Sequence, residues 1–276
     1  MSIKRVVILA DGHCGSRTGL TPPKWQTLWK DNDDNDIESE SRDEYESQHY
    51  KFQKLQGDLW NFYNSTIHSL KPIDLLIYNG DAIEGKGTRS GGTELLTSDC
   101  ITQANMAINT IKITKAKNIV MTYGTGYHVG DAEDWEALVA KGVGAKKIGS
   151  HEWVTINNVT FDIKHHVGTS QTPYSRNLSM SKDRIWNLIW NEHEEQPKSD
   201  ILIRSHCHYY DFCGGRNWLG IITPSLQGPG TKFGSRRCSG HVDFGLIHFD
   251  IDEKGRYTWQ AHIANIPSLK AQALKI

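Results

Sequence analysis

Three short runs dominated by apolar residues, Val6 to Ala10, Ile73 to Tyr78 and Ile119 to Tyr123, break off into polar, glycine-containing segments. Runs of this length bounded by turn residues predict strands buried on both faces, as in a parallel sheet. Between them, 43–70 and roughly 93–115 carry helical patterns, giving a β-α-β-α-β alternation and so a sheet covered by helices. The second half differs. Val154 to Ile156 and Val159 to Ile163 flank the pair Asn157-Asn158 and predict a hairpin. A helix is expected over about 181–193, closed by Pro197, with a strand at Ile201 to Arg204. Trp186 and Trp190, four apart, read as that helix's core face. The remainder, "LGIITPSLQG", "VDFGLIHFDID" and "RYTWQAHIANI", is strand-rich with Gly and Pro punctuation. An α/β front half and a β-rich back half imply two packed, mostly β sheets flanked by helices, and with no internal repeat or linker 1–276 is expected to form a single domain.

Charge excludes little. Lys and Arg total 31 against 32 Asp and Glu, which argues against a surface coated in basic residues for nucleic acid but leaves local patches open. The five cysteines, at 14, 100, 207, 213 and 238, form no CxxC pair, which suits a reducing compartment and small buried thiols. The first apolar run is too short for a signal segment or a span, so a soluble, cytoplasmic protein is expected. Residues 31–44 carry eight acidic groups and one arginine, expected as a solvated inserted loop. An EF-hand fails there: Asp31, Asp33 and Asn35 fit its first ligand positions, but Asp36 and Arg42 stand where Gly and Glu are required.

The chemistry gathers at strand ends, where the loops of an open α/β sheet collect ligands. Asp11-Gly12-His13 follows the first strand, Gly80-Asp81 with Glu84 the second, and Gly124-Thr125-Gly126-Tyr127-His128 the third. His165-His166 and His206-Cys207-His208 follow two more. His206 and His208, two apart on an extended segment, emerge on one side, as two ligands of one metal would. Carboxylate and imidazole donors suit divalent Mn, Fe or Zn, and the lack of paired cysteines argues against a structural zinc cluster.

In order and spacing these blocks, "DGH" at 11, "GDAIE" at 80, "GTGYH" at 124, "HH" at 165 and "SHCH" at 205, resemble the calcineurin-like metallophosphoesterase family, whose pattern is D-x-H, G-D-x-x-D/E, G-N-H-D/E, a lone His and G-H-x-H. The resemblance spans 11–208 and implies a four-layer α/β/β/α sandwich and a phosphoric ester hydrolase, a phosphodiesterase or phosphatase, using two divalent metal ions. It implies that Asp11, His13 and His208 hold one metal, that His206 and one of His165 and His166 hold the other, and that Asp81 bridges them. Neighbouring residues of an extended chain point to opposite sides, so one of the pair 165/166 faces the metal, with His165 favoured. Glu84 is a helix-start carboxylate or a support for a ligand.

The third block departs from the pattern. Thr125 stands where the family has its Asn ligand, and a histidine follows only at His128, which is expected either as a replacement ligand or as the acid for the leaving group. Ser205 replaces the usual Gly. The expected substrate is a phosphate ester, diesters ahead of monoesters, with nucleotides and nucleic acid among the candidates. Arg17, Arg89, Arg176, Lys232, Arg236 and Arg237 are the candidate contacts to it. The alternatives are a nuclease acting on DNA or RNA, and a catalytically silent relative that binds a metal or nucleotide.

Overall fold

A computed structural model describes residues 2–26, 39–130, 134–168, 170, 172–229 and 242–266, with the side chains of 39–51, 89, 129 and 173 excepted. The first sheet has the order β11-β10-β1-β2-β3-β4, and the second β5-β6-β7-β9-β8. In the first, β1 (Lys4–Leu9), β2 (Leu75–Asn79), β3 (Ile119–Thr122) and β4 (Lys147–Gly149) run parallel, extended antiparallel by the hairpin β10 (Gly245–Ile251) and β11 (Tyr257–Ile263). In the second, β6 (Val159–Ile163), β7 (Ile201–Arg204) and β9 (Trp218–Ile222) are parallel, with β5 (Glu152–Ile156) and β8 (Asp211–Gly215) as antiparallel edges. The helices are α1 (Ser39–Ser69), α2 (Cys100–Ile113), the single turn α3 (Gly126–Val129), α4 (Trp135–Val143) and α5 (Leu178–Glu192).

Strand alternation sorts the core into layers. Val7, Leu9, Leu76, Tyr78 and Met121 face Leu59, Tyr63, Met106 and Val139 of the helices, while Val6, Ile8, Leu75 and Ile77 face Phe161, Ile163, Ile201 and Ile203 of the second sheet. Leu202 and Ile222, on the far face of that sheet, meet Met180 of α5. The result is the expected pair of packed sheets with helices outside.

Boundaries move where caps decide them. Asp99 accepts the amides of Ile101 and Thr102 at 3.1 and 3.2 Å, so α2 starts at Cys100 although the helical pattern begins near 93. Helix α1 begins at Ser39, inside the stretch read as an acidic loop, and 31–38 lie outside the described residues. Trp186 and Trp190 do not form the core face of α5: both are exposed, because the helix turns Arg184 and Asn187 to the sheet. Cys14, Cys100 and Cys207 are buried free thiols, Cys213 is partly exposed, and Cys238 lies outside the described residues. Among the described residues no helix is long and apolar enough to cross a membrane.

One polar cluster braces the second sheet from outside. The buried Arg204 guanidinium lies 2.7 Å from Asp162 Oδ1 and donates to Asp183 Oδ2 of α5 at 2.7 Å and to the carbonyls of Asp162 and Ile203. Arg204→Ala would leave the buried Asp162 carboxylate with His151 Nε2, 2.9 Å away, in place of a full ion pair, and a loss of about 3 kcal/mol of unfolding free energy is expected in urea titration.

Candidate metal centre

The strand ends stay paired beyond the strands themselves. Asp11 N–H donates to the Gly80 carbonyl at 3.0 Å, His13 N–H to that of Asp81 at 3.0 Å and Cys14 N–H to that of Ala82 at 3.1 Å, so the loops after β1 and β2 run as one rigid ribbon. The two sheets join at the same edge. His206 N–H donates to Asp11 Oδ2 at 3.3 Å across the sheets, while within the second sheet Ser205 N–H donates to the His165 carbonyl at 2.8 Å and so extends the β6–β7 pairing. Beneath them Asn79 donates to Ser205 Oγ at 2.7 Å and accepts from Thr122 Oγ1 at 2.6 Å. Asp11, His13, Asp81, His206 and His208 all adopt left-handed backbone, with φ of 52°, 41°, 51°, 72° and 57°. Non-glycine residues hold that conformation at a cost of about 1–3 kcal/mol each, a concentration of strain typical of functional sites. At Gly80 and Gly124 a Cβ would strike the His165 ring and the Asp81 carboxylate, which explains glycine there.

Ligand atoms of Asp11, His13 and His208 lie within 4.8 Å of one another, as do those of Asp81, His165 and His206, and of His13, Asp81 and His128. Asp81 belongs to two of the three groups, and His13 links one of them to the third, Asp11–His13–His208. His165 Nε2 is 3.0 Å from Asp81 Oδ2, and His13 Nε2 is 3.2 Å from His208 Nε2. Outer partners orient the rings. His13 Nδ1 donates to the Glu84 carboxylate at 2.9 Å and His165 Nδ1 to the Asn79 carbonyl at 2.7 Å, turning both Nε2 atoms inward. His128 Nδ1 donates to the Glu84 carbonyl at 2.7 Å.

Electrostatics follow from burying carboxylates and imidazoles together. Burial opposes the charge on Asp81, yet the imidazoles of His165, His128 and His13 hold it well below the usual carboxylate range. Burial alone would lower His165 and His13, but their carboxylate neighbours push them up to about 10 and about 9. His206, buried next to His165, falls to about 4, and burial lowers His128 as well. Asp11 Oδ1 is buried with no hydrogen-bond partner; His208 Nε2, 3.3 Å away, lies within ion-pair reach but outside hydrogen-bond geometry. An orphaned, fully buried carboxylate oxygen facing imidazole nitrogens suits a divalent cation, so the donor set fits such an ion.

The remaining expected residues are placed as follows. His166 is exposed, its ring tilted over His206 at 4.7 Å, and joins none of the three groups. Thr125 is at the centre of the third-strand departure: its N–H donates to Asp81 Oδ1 at 2.7 Å, and its hydroxyl lies 3.1 Å from Asp81 Oδ2, 3.1 Å from His206 Nδ1 and 3.4 Å from His165 Nε2. Arg176 stacks on the Tyr209 ring at 4.5 Å, one residue from His208. Arg17 is half-buried in the loop after β1, its carbonyl accepting from Gln56. Arg89 is in a short turn with its side chain outside the described atoms, and Lys232, Arg236 and Arg237 lie outside the described residues.

Two buried residues absent from the sequence reading organise the site. Glu136 of α4 accepts the amides of Ala82 and Gly124, at 2.8 and 2.5 Å, and so ties the loop carrying Asp81 to the loop carrying Thr125; burial and nearby Asp81 raise its pKa to about 7. Gln103 of α2 clamps both the N–H and the carbonyl of Gly85, just past Glu84. The only advance signal for Glu136 was the Asp134 cap ahead of Trp135 and Val139, which marks a helix start and not a role.

No family model matches the chain, and no curated protein matches it significantly. Among solved structures, a novel archaeal phosphodiesterase aligns with a TM-score of 0.44 at 14% identity, over 94% of this chain and 99% of that one. Vps29 of Entamoeba histolytica complexed with zinc gives 0.41 at 12% identity, over 94% and 98%. The E. coli phosphoesterase YfcE gives 0.41 at 12% identity, over 93% and 98%.

The clamp by Glu136 needs two acceptors, which a carboxylate has and a carboxamide lacks. Glu136→Gln must turn an NH₂ toward one of the two backbone donors, so hydrogen exchange of either the Ala82 or the Gly124 amide is expected to accelerate about tenfold or more, with the other amide protected as before.

Proposed function

We propose that the protein is a dinuclear metal-dependent phosphoesterase. The observation that carries the reading is the orphaned, buried Asp11 Oδ1 in the set Asp11–His13–His208, which shares His13 with a neighbouring group whose Asp81 also belongs to the set Asp81–His165–His206. Asp11, His13 and His208 would hold one divalent ion and Asp81, His165 and His206 the other, and Asp81, which also groups with His13, would be the carboxylate common to both. Two such ions supply an activated water as nucleophile and charge to steady the phosphoryl oxygens during in-line displacement.

The chain's own residues set up that chemistry. Glu84 and the Asn79 carbonyl hold His13 and His165 with Nε2 free to ligate. His128 Nδ1 donates a hydrogen bond to the Glu84 carbonyl and burial lowers the ring's pKa, so the lone pair falls on Nε2, and the ring groups with His13 and Asp81. That favours His128 as a ligand or proton acceptor over a standing acid. Arg176, fixed over Tyr209 beside His208, is the described arginine we assign to the phosphate. The expected substrates are phosphate esters, with diesters ahead of monoesters.

Thr125 bears on the second ion. Its hydroxyl fills the space among Asp81, His165 and His206 and is a weaker donor than an amide oxygen, which supports looser binding there. Steady-state hydrolysis of an activated phosphodiester and its monoester counterpart with Mn²⁺ should therefore be chelator-sensitive and abolished in Asp81→Asn, with the fold retained by circular dichroism. Activity unchanged in Asp81→Asn would sink the reading. Absence of turnover with metal bound would instead indicate a binding protein. In metal counting by mass spectrometry, Thr125→Asn is expected to raise occupancy from nearer one ion per chain to nearer two at limiting Mn²⁺.

A further inference from the structure

Helix α5 presents the opposite face to its sheet from the one its sequence favours. Met180, Arg184 and Asn187 face inward at 0%, 7% and 2% exposure, whereas Ile185 is 59% and Trp186 48% exposed. The inward polar groups find partners on the neighbouring segment. Arg184 Nη1 donates to the Ser199 carbonyl, and Asn187 donates to the Pro197 carbonyl at 3.0 Å and accepts from Ser199 N–H at 3.1 Å. These bonds tie the helix to the segment entering β7 and fix its rotation. Leu178, Ile185, Trp186, Leu188, Ile189 and Trp190 are then left facing solvent. At about 200 Å² for each large side chain, this amounts to roughly 600 Å² of apolar surface, at the upper end of what a monomer exposes. It is most of the roughly 800 Å² per partner that a stable interface takes.

We infer that this face is the interface of a two-fold dimer of the chain, with α5 packed antiparallel against α5 of a second copy. The argument for a second copy is the order of residues along the exposed seam. Leu178, Lys182, Ile185, Ile189 and Glu192 follow one another at alternating spacings of four and three, the repeat of a helix pair. The centre of the seam is apolar, with basic Lys182 on its N-terminal side and acidic Glu192 at its end, and with Glu194 and Glu195 just beyond. Antiparallel pairing sets Ile185 opposite the second copy's Ile189 and Lys182 opposite the second copy's Glu192, each contact occurring twice, as a two-fold axis requires. Parallel pairing would set Lys182 on Lys182. Neither Lys182 nor Glu192 makes an ion pair among the described residues, and both are exposed. The proposal is independent of the phosphoesterase reading.

Sedimentation equilibrium of the full chain over about 1–100 μM tests it. The wild type is expected to dimerise, and Ile185→Asp, an exposed substitution whose fold is checked by circular dichroism, to be monomeric. Lys182→Glu alone should weaken the dimer about tenfold, and Lys182→Glu with Glu192→Lys should restore it. A monomeric wild type at the highest concentration overturns the inference, including the case where the face serves a different protein. So does a dimer indifferent to Ile185→Asp, or a double charge swap that fails to restore association.

Discussion

Two carboxylates, Asp11 and Asp81, are buried side by side at neighbouring strand ends, and the architecture around them answers the need to keep them ionised there. Removing an ion from water costs several kcal/mol unless nearby charges and donors compensate. Here the compensation comes from imidazoles, and the cost appears in them: His165 and His13 retain protons far above the usual histidine range because releasing them would leave the aspartates unpaired. His206, which shares the pocket with the charged His165, cannot also be charged and is driven the other way. A group of acids and bases balanced by protons can be balanced equally well by dications, which bind once those protons leave.

Such a cluster persists only on a frame that over-determines it. Five left-handed residues at three strand ends would relax if their loops were free. They are held by the continued ladder between 11–14 and 80–82, by the bond from His206 to Asp11 that crosses between sheets, and by Glu136, which grips the loops after β2 and β3 together. Glu136 is another buried carboxylate in this region and makes no hydrogen bond to an imidazole among the described residues, so burial and Asp81 raise its pKa where Asp11 and Asp81 are lowered.

The strands were legible because parallel sheets buried on both faces leave unbroken apolar runs, and β7 was read to the residue. The ligand candidates were legible because polar residues directly after such runs have little structural reason to be Asp and His. What remained hidden depends on contacts across the fold. Glu136 and Gln103 sit on helices distant in sequence from the loops they hold, and nothing local distinguishes them from surface polar residues. The misread face of α5 has the same origin. Apolar periodicity locates a helix's hydrophobic side but assumes that the molecule's own core covers it, whereas Arg184 and Asn187 find partners in the 197–199 segment that only the folded chain supplies.

That inverted helix bears on the candidate metal centre through its N-terminal approach. Arg176 stacks on Tyr209, and Asn177 donates to Asp211 Oδ1 at 3.4 Å, so the two residues before Leu178 are fastened to the loop that carries His208. A contact that immobilises the start of α5 would therefore also restrict the arginine beside His208. Arginine recognises phosphate through a planar fork of donors whose value depends on how little freedom it must lose. If Arg176 is the phosphate contact proposed above, constraining the helix end would reduce the entropy lost when its guanidinium engages an anion, and the exposed apolar face would be coupled to the site through two residues and one aromatic ring.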